Sequence, residues 1–288
     1  MNIMKKLLFT ALTWSLTTAA SALELEVFAA GPAGFHATST LIKGEKSAIL
    51  VDAQFTLSEA HRLAAQILES GKTLKTVVIT HAHPDHYFGL EVILQQFPNA
   101  TVVAAPEVAE QMKLLGPQKL AQWKPLYGNN LTSTPLSAAP LAQTFLELDG
   151  ERIELLDLLP GEIEHSTALY IPSLKAVIAG DLAYNGVHVW LAETNATRRG
   201  NWLTNLKRIA ALNPKIVVAG HKVPGRADTA AVLTETAAYI DAFVSALTVS
   251  KNPEELVAKV KEKVGSQALP IILEIAAKAV FTEGPHSH

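Results

Sequence analysis

The segment His81-Ala82-His83-Pro84-Asp85-His86 constrains this chain more than any other part of its sequence. It follows directly on the apolar run from Leu74 to Thr80, which predicts a buried strand. Histidine nitrogens and aspartate oxygens bind zinc at about 2.0–2.2 Å, and four such side chains stand within these six residues. Pro84 restricts the conformations of the loop that carries them. The sequence therefore predicts a metal site at the point where this strand ends.

Other histidine and aspartate residues also stand at the ends of predicted strands. They are Asp52 after AILV, His165 before TALYIP, Asp181 after AVIAG and His221 after IVVAG. Because a rigid sheet holds the loops at its strand ends, we expect these side chains to converge with the motif. One tetrahedral ion cannot accept all the candidate ligands, which are His81, His83, Asp85, His86, His165 and His221. The set therefore suggests two metals, with Asp181 available as a bridge.

The composition narrows the kind of ligand and partner. The chain has no cysteine among its 288 residues, so disulfides, thiolate ligands, iron–sulfur clusters and cysteine nucleophiles are excluded. With 24 basic and 27 acidic residues, the formal net charge is -3, and no basic tract stands out. A nucleic-acid partner therefore has no electrostatic support, and a small-molecule substrate is expected.

The first 22 residues resemble a secretory signal peptide. Lys5 and Lys6 precede an apolar run from Leu7 to about Ala20, and Ala20-Ser21-Ala22 forms a small-x-small cleavage pattern. The alternative is a membrane anchor, but the run is short for a span and five Ser or Thr residues interrupt it. We expect cleavage after Ala22, a periplasmic or secreted mature chain with no stable membrane anchor, and one hydrolase domain over residues 23–288.

Predicted strands alternate with predicted helices along the mature chain, which indicates an α/β layered domain with helices on the faces of its sheets. Extra helices are predicted at the C-terminal end, from about residue 226 onward. Where these last helices dock, on the domain or on a second copy, is open at this point.

The segment HAHPDH is similar to the His-x-His-x-Asp-His signature of the metallo-β-lactamase superfamily, and the resemblance extends in order over Asp52, His165, Asp181 and His221. It implies a four-layer αβ/βα sandwich with two zinc ions between the sheet edges. It further implies one zinc held by His81, His83 and His165, a second held by Asp85, His86 and His221, Asp181 as the bridge, and Asp52 as a residue that orients the ligands.

The activity implied by this resemblance is a zinc-dependent hydrolysis in which a metal-bridging hydroxide attacks a small ester, lactone or thioester. Asp85 is expected to orient that hydroxide and pass its proton onward. Within the superfamily that this chain resembles, an aspartate at the position of Asp181 is typical of thioesterase, lactonase and phosphodiesterase branches rather than of β-lactamases. A β-lactamase-like amide hydrolase and a mononuclear-iron oxidoreductase of the same fold remain the alternatives.

Four residues are candidates for contact with substrate. Tyr184 stands three residues after Asp181, a spacing similar to that of a catalytic tyrosine in the lactonases of this superfamily. The alternative is a tyrosine packed beside the Asn185-Gly186 turn. Lys222 could receive a substrate carboxylate or be a solvated lysine, and His188 and Trp190 could line the cleft or pack in the interior.

Overall fold

The computed structural model describes residues 23–282, so the predicted signal peptide lies outside the described residues. The first half of the chain forms six strands and three helices. These are β1 (Glu24–Ala29), β2 (Thr38–Lys43), β3 (Ser47–Val51), α1 (Leu57–Glu69), β4 (Thr73–Ile79), α2 (Leu90–Gln96), β5 (Thr101–Ala104), α3 (Pro106–Tyr127) and β6 (Ala139–Pro140). Helix α3 is longer than the weak pattern from Glu107 to about Trp123 predicts, and it contains Pro117 and Pro125.

The second half of the chain begins with a strand meander and ends in helices. Its elements are β7 (Phe145–Leu148), β8 (Glu151–Asp157), β9 (Thr167–Ile171), β10 (Ala176–Ile178), β11 (Tyr184–Asn185), α4 (Ala196–Ala210), β12 (Ile216–Val218), β13 (His221–Lys222), α5 (Ala231–Leu247), α6 (Pro253–Val264) and α7 (Pro270–Thr282). The extra C-terminal helices predicted from the sequence are therefore α5, α6 and α7, and all three pack on the domain itself.

Two sheets lie face to face between two layers of helices. The first sheet has the order β1-β2-β3-β4-β5-β6, and the second has the order β12-β10-β9-β8-β7. Strands β11 and β13 form a separate short parallel pair. This arrangement confirms the predicted α/β layered sandwich.

The alternation of side chains along the central strands explains the layers. In β3, Leu50 packs toward the helices of the first half, whereas Ile49 and Val51 pack between the two sheets. In β4, Val77 and Val78 divide in the same way. Because neighbouring strand residues point to opposite faces, a strand buried on both faces must be apolar throughout, as these are.

Backbone hydrogen bonds join the edges of the two sheets directly beside the motif. The Thr167 amide donates to the Thr80 carbonyl over 2.9 Å, and His81 forms an isolated bridge with Ser166. The Thr38 amide donates to the Gly220 carbonyl over 2.7 Å. These bonds bring the ends of strands from both halves of the chain to one edge of the sandwich.

Across residues 23–282, none of the helices has the length and apolar character that crossing a membrane requires.

Candidate metal centre

Side chains that could bind metal converge at this edge in two groups. One group contains His81, His83, Glu162 and Asp181, and the other contains Asp85, His86 and His221. Within each group, one potential ligand atom of every residue lies within 4.8 Å of the others. Both groups are largely buried, so they could hold metal ions away from bulk solvent.

Asp181 lies between the two groups. Its Oδ2 is 3.7 Å from His81 Nε2 of the first group and 3.1 Å from His221 Nε2 of the second. Its Oδ1 is 3.2 Å from His86 Nε2. Asp85 Oδ2 completes the second group at 3.4 Å from His221 Nε2. A single carboxylate is thus placed within reach of ions in both groups, as the sequence predicts for a bridge.

The structure does not bring His165 into either group, contrary to the prediction. His165 is half-buried in the connection between β8 and β9, whereas Glu162 of the same connection is buried, with 5% of its surface exposed. Glu162 Oε1 lies 3.0 Å from His83 Nδ1. Glu162 was not among the predicted ligands, because His165 of the same loop was predicted in its place. The signal was a carboxylate between the buried residues Leu158 and Ile163.

Each histidine of the two groups has one ring nitrogen engaged by the protein. Nδ1 of His81 contacts Thr80 Oγ1 at 3.0 Å, and Nδ1 of His221 contacts the Phe35 carbonyl at 2.7 Å. With the proton on the engaged nitrogen, the opposite nitrogen can direct its lone pair to the group, which is the usual arrangement of a histidine ligand. The two remaining histidines are engaged by carboxylates: His86 by Asp52 and His83 by Glu193.

Asp52 engages His86, as expected of a residue that orients a ligand. Its Oδ2 accepts hydrogen bonds from His86 Nδ1 and Thr80 Oγ1, both at 2.8 Å, and its Oδ1 accepts one from the Thr80 amide at 2.8 Å. Asp52 has a φ of 61°, a left-handed conformation that aspartate tolerates better than most residues. Its carboxylate therefore connects His86 and, through Thr80, His81.

Glu193 engages His83 and was not predicted from the sequence. Its Oε2 lies 3.1 Å from His83 Nε2, and its Oε1 accepts a hydrogen bond from Lys119 Nζ of α3 at 2.9 Å. His83 Nδ1 is therefore the nitrogen that faces Glu162. The only sequence signal for Glu193 was a charged residue directly after the largely apolar segment from Val187 to Ala192.

Several buried polar atoms of the two groups form no hydrogen bond within residues 23–282. They are His81 Nε2, His86 Nε2, Asp181 Oδ1 and both carboxylate oxygens of Glu162. A buried polar atom without a partner costs free energy, so native structures rarely contain such a cluster. Nitrogen and carboxylate donors that converge in this way match the ligand preference of zinc and related divalent cations. The residues present therefore fit a metal centre.

The electrostatics of the carboxylates lead to the same interpretation. Burial raises the pKa of Glu162 to about 7, although the charge of His83 opposes this shift. Burial would also raise the pKa of Asp181, but His221, His86 and His81 together hold that pKa well below its usual range. Asp181 is therefore an anion among four histidines, and a cation bound beside Glu162 would stabilise that carboxylate in its ionised form.

Gly220 allows the backbone beside His221 to lie close to Asp181 and Gly180. A Cβ atom at residue 220 would lie 2.1 Å from Asp181 Oδ1 and 2.5 Å from the backbone carbon of Gly180. Any larger residue would therefore displace either Asp181 or the neighbouring His221.

Tyr184 lies at the centre, beside Asp181 and His221. Its hydroxyl donates a hydrogen bond to Asp181 Oδ2 at 2.9 Å, and its ring stacks on His221 with 5.2 Å between the ring centroids. Burial and the negative charge of Asp181 raise the pKa of Tyr184 well above 10, so the hydroxyl is a proton donor at neutral pH.

Lys222 is not placed as a substrate-binding residue. Its Nζ is paired with both carboxylate oxygens of Asp228 at 2.8 and 2.7 Å, and 5% of the residue surface is exposed. The solvated-lysine alternative is also wrong, because this lysine is buried in an ion pair. His188 and Trp190 do line the cavity at the centre, and His188 Nδ1 lies 2.7 Å from the Tyr239 hydroxyl.

The cavity beside the two groups encloses about 710 Å³, including its open mouth. Asp85, Asp181, His83 and His221 form its polar floor. Its remaining lining is mainly apolar and includes Phe35, Trp123, Trp190, Leu269 and Ile272. A concave apolar site with a few converging polar groups is the usual form of a small-molecule site.

Curated proteins are similar to this chain over part of its length. The chain is 26% identical over 261 residues to the linear primary-alkylsulfatase of Pseudomonas sp. (strain ATCC 19151), a match that covers 77% of this chain and 49% of that protein. It is 32% identical over 94 residues to the uncharacterized protein YobT of Bacillus subtilis (strain 168), covering 33% of this chain and 39% of that protein. The match thus spans about half the length of the first of these curated relatives and less than half of the second.

Solved structures share the fold. The metallo-beta-lactamase family protein TTHA1429 from Thermus thermophilus matches with a TM-score of 0.64 and 25% identity, covering 88% of this chain and 91% of that one. A double mutant of the sec-alkyl sulfatase PisA1 matches with a TM-score of 0.57 and 17% identity, covering 84% of this chain and 46% of that one.

The family model described as metallo-beta-lactamase superfamily matches residues 33–221, the segment that contains all seven residues of the two groups. The chain belongs to the metallo-beta-lactamase superfamily.

Proposed function

We propose that this chain is a two-zinc hydrolase that cleaves an ester-type bond in a small molecule. The observation that carries the proposal is the convergence of seven potential ligand side chains, six of them buried, whose histidines each have one ring nitrogen engaged by the protein. Such preorganisation costs stability unless cations occupy the groups. Members of this superfamily are mostly hydrolases, which agrees with this interpretation.

His81, His83, Glu162 and Asp181 would hold one zinc, and Asp85, His86 and His221 would hold the other, with Asp181 between them. When bound, the ions would supply Lewis acidity and lower the pKa of water to near 7. This assignment replaces His165 with Glu162 in the first group. The extra negative charge of Glu162 would favour retention of a divalent cation there.

The residues around the ions would direct the proton transfers. The carboxylate of Asp85 faces the cavity and can accept a proton from the attacking water. The Tyr184 hydroxyl, which now donates to Asp181, can donate to an oxygen of the substrate that gains negative charge. Water adds to the acyl or sulfuryl atom, the bond to the alcohol oxygen breaks, and an acid and an alcohol are released.

A sulfate ester is the second candidate substrate. Its support is the similarity to the linear primary-alkylsulfatase, which extends over 77% of this chain. That relative is the longer protein, and the match covers 49% of it. A β-lactam is less favoured, because the structures named as β-lactamases are under 25% identical and share the fold alone.

The test combines metal analysis and turnover on the purified mature protein. We expect about two zinc ions per chain and hydrolysis of one class among aryl esters, thioesters, lactones, alkyl sulfates and nitrocefin. Chelation and the Asp181→Asn change should abolish this turnover. The change His61→Ala, at an exposed histidine of α1, is the matched control and should leave it intact. One iron per chain, or two zinc ions without turnover of any class, would contradict the proposal.

The mature protein is also proposed to act outside the cytoplasm, on the basis of the N-terminal sequence alone. N-terminal sequencing of protein from a periplasmic extract checks this point, and an intact Met1 would refute it.

A further inference from the structure

The wall of the cavity contains residues from beyond the part of the chain that matches the family model. That match ends at residue 221, whereas Leu269 directly precedes the last helix, α7, and Ile272 lies in its first turn. Both side chains line the same cavity as Asp85 and His221 of the centre. The start of α7 therefore contributes directly to the space in which a substrate would lie.

Leu269 is held in this position at a conformational cost. Its φ is 60°, in the left-handed region that a leucine rarely adopts. Two backbone hydrogen bonds fix the preceding residue: the Ala268 amide donates to the Gly186 carbonyl at 2.9 Å, and the His188 amide donates to the Ala268 carbonyl at 3.0 Å. Such strain persists where the surroundings enforce it, and it is concentrated at ligand sites.

We propose that Leu269 and Ile272, with Trp190 and Phe35, form a subsite for an aliphatic chain of the substrate. The inference rests on the proposed function in one respect, because it assigns this chain to the molecule that is hydrolysed. Leu269 and Trp190 are half-buried rather than fully packed, so they retain apolar surface that a ligand can cover. Transfer of methylene groups from water to such a surface is favourable and additive over short chains.

Two substitutions remove the subsite in different ways. Leu269→Gly deletes the side chain and also relieves the positive φ, which offsets part of the packing that is lost against the C-terminal core. Ile272→Ala shortens a residue that is 9% exposed and keeps the helix. Ile271→Ala is the matched control, because this neighbour in the same helix is 49% exposed and is not part of the cavity lining.

Binding is measured first and does not depend on turnover. The tryptophan fluorescence of the zinc-loaded protein is titrated with n-alkanols of four to ten carbons, since Trp123 and Trp190 line the cavity. Each added methylene should tighten binding by about fourfold until the subsite is full. Leu269→Gly and Ile272→Ala should reduce this dependence on length, and Ile271→Ala should retain it. Binding that does not change with length, or that responds equally to all three variants, would overturn the inference.

Turnover of p-nitrophenyl esters of the same lengths then separates the two proposals. Hydrolysis with a KM that falls with chain length, and a loss of this trend in Leu269→Gly, supports both. Hydrolysis without any dependence on length overturns the subsite and leaves the hydrolase. Length-dependent alkanol binding without turnover of any ester, thioester, lactone or sulfate supports the subsite and overturns the hydrolase.

Discussion

The two halves of the chain contribute to the metal centre in different ways. The first half supplies His81, His83, Asp85 and His86 from one loop after β4. The second half supplies Glu162 and Asp181 from two separate connections and His221 from strand β13. The geometry of the first set is determined by a short local segment, whereas that of the second depends on how distant strands are aligned.

This difference explains which of the ligands can be predicted from the sequence. Spacing along a loop can be read directly, because neighbouring residues cannot move far apart. A ligand contributed alone by a long connection has several candidates nearby, and only a few positions separate Glu162 from His165. Substitutions in each half can test this contrast, beginning with the largest expected effect.

The largest effect is expected for Glu162→Ala, and His165→Ala is its matched comparison. Removal of Glu162 should leave His83 Nδ1 without its carboxylate neighbour and empty the first group. Activity should fall by more than about 100-fold, beyond the usual loss for a residue outside the ligand set, and zinc content should fall toward one per chain. His165→Ala should change neither by more than about twofold, as is usual for a half-buried side chain outside both ligand groups.

Metal content by elemental analysis and the rate with the best substrate are the measurements. The reverse result, with loss of zinc in His165→Ala and retention in Glu162→Ala, would restore the ligand set that the family resemblance implied.

The fold was predictable to a larger extent than the site. The apolar runs of β3, β4 and β10 and the helical periodicity of α1 specify buried strands and helices, and the predicted layers are confirmed. The two-residue strands β11 and β13 were not predicted, because so short a pair has no periodicity. Leu269 was missed for another reason. Its place in the cavity depends on a left-handed backbone and on docking against Gly186, neither of which a pattern of residue types reveals.

The second prediction concerns the carboxylate that supports the local half of the centre. Asp52→Asn keeps the size of the side chain and tolerates the φ of 61°, but it weakens the hydrogen bonds to His86 and Thr80. Zinc affinity should fall by about 10- to 100-fold. Competition with a chromogenic chelator measures it.

Asp149→Asn is the matched control, since Asp149 is an exposed aspartate with a φ of 51°. An equal loss of affinity in both variants would show that the effect is not specific to the hydrogen bond with His86.

The third prediction concerns Glu193, through which the second half of the chain supports a ligand of the first. Glu193→Gln should lower zinc affinity by about tenfold, at the low end for residues of this kind, because the Glu193 side chain is 36% exposed. Lys119→Met should have a smaller effect in the same direction, since it only frees Glu193. Lys113→Met, at an exposed lysine of the same helix, is the control. If Glu193→Gln leaves the zinc affinity unchanged, Glu193 does not support His83 as a ligand.

The smallest effect is expected at His188, a histidine of the second half that lies beside the centre without belonging to either group. Burial, with a smaller contribution from Lys261, lowers the pKa of His188 to about 4, from 6.5 in an unfolded chain. The unfolded chain therefore binds the extra proton between these values, so folding stability falls as the pH drops below 6.5 and stops falling below about 4. The loss between pH 7 and pH 5 should be on the order of 1 kcal/mol, since over most of this range the unfolded chain binds up to one proton more than the folded protein.

Urea unfolding of the wild type and of His188→Asn at these two pH values isolates this contribution, because asparagine can keep a hydrogen bond to Tyr239 but does not titrate. The difference in pH dependence between the two proteins should persist after chelation, since His188 would not be a ligand. A difference that disappears with the metal would instead connect His188 to the centre. The contrast between the halves would then need revision, because a fourth separate segment of the second half would contribute to metal binding.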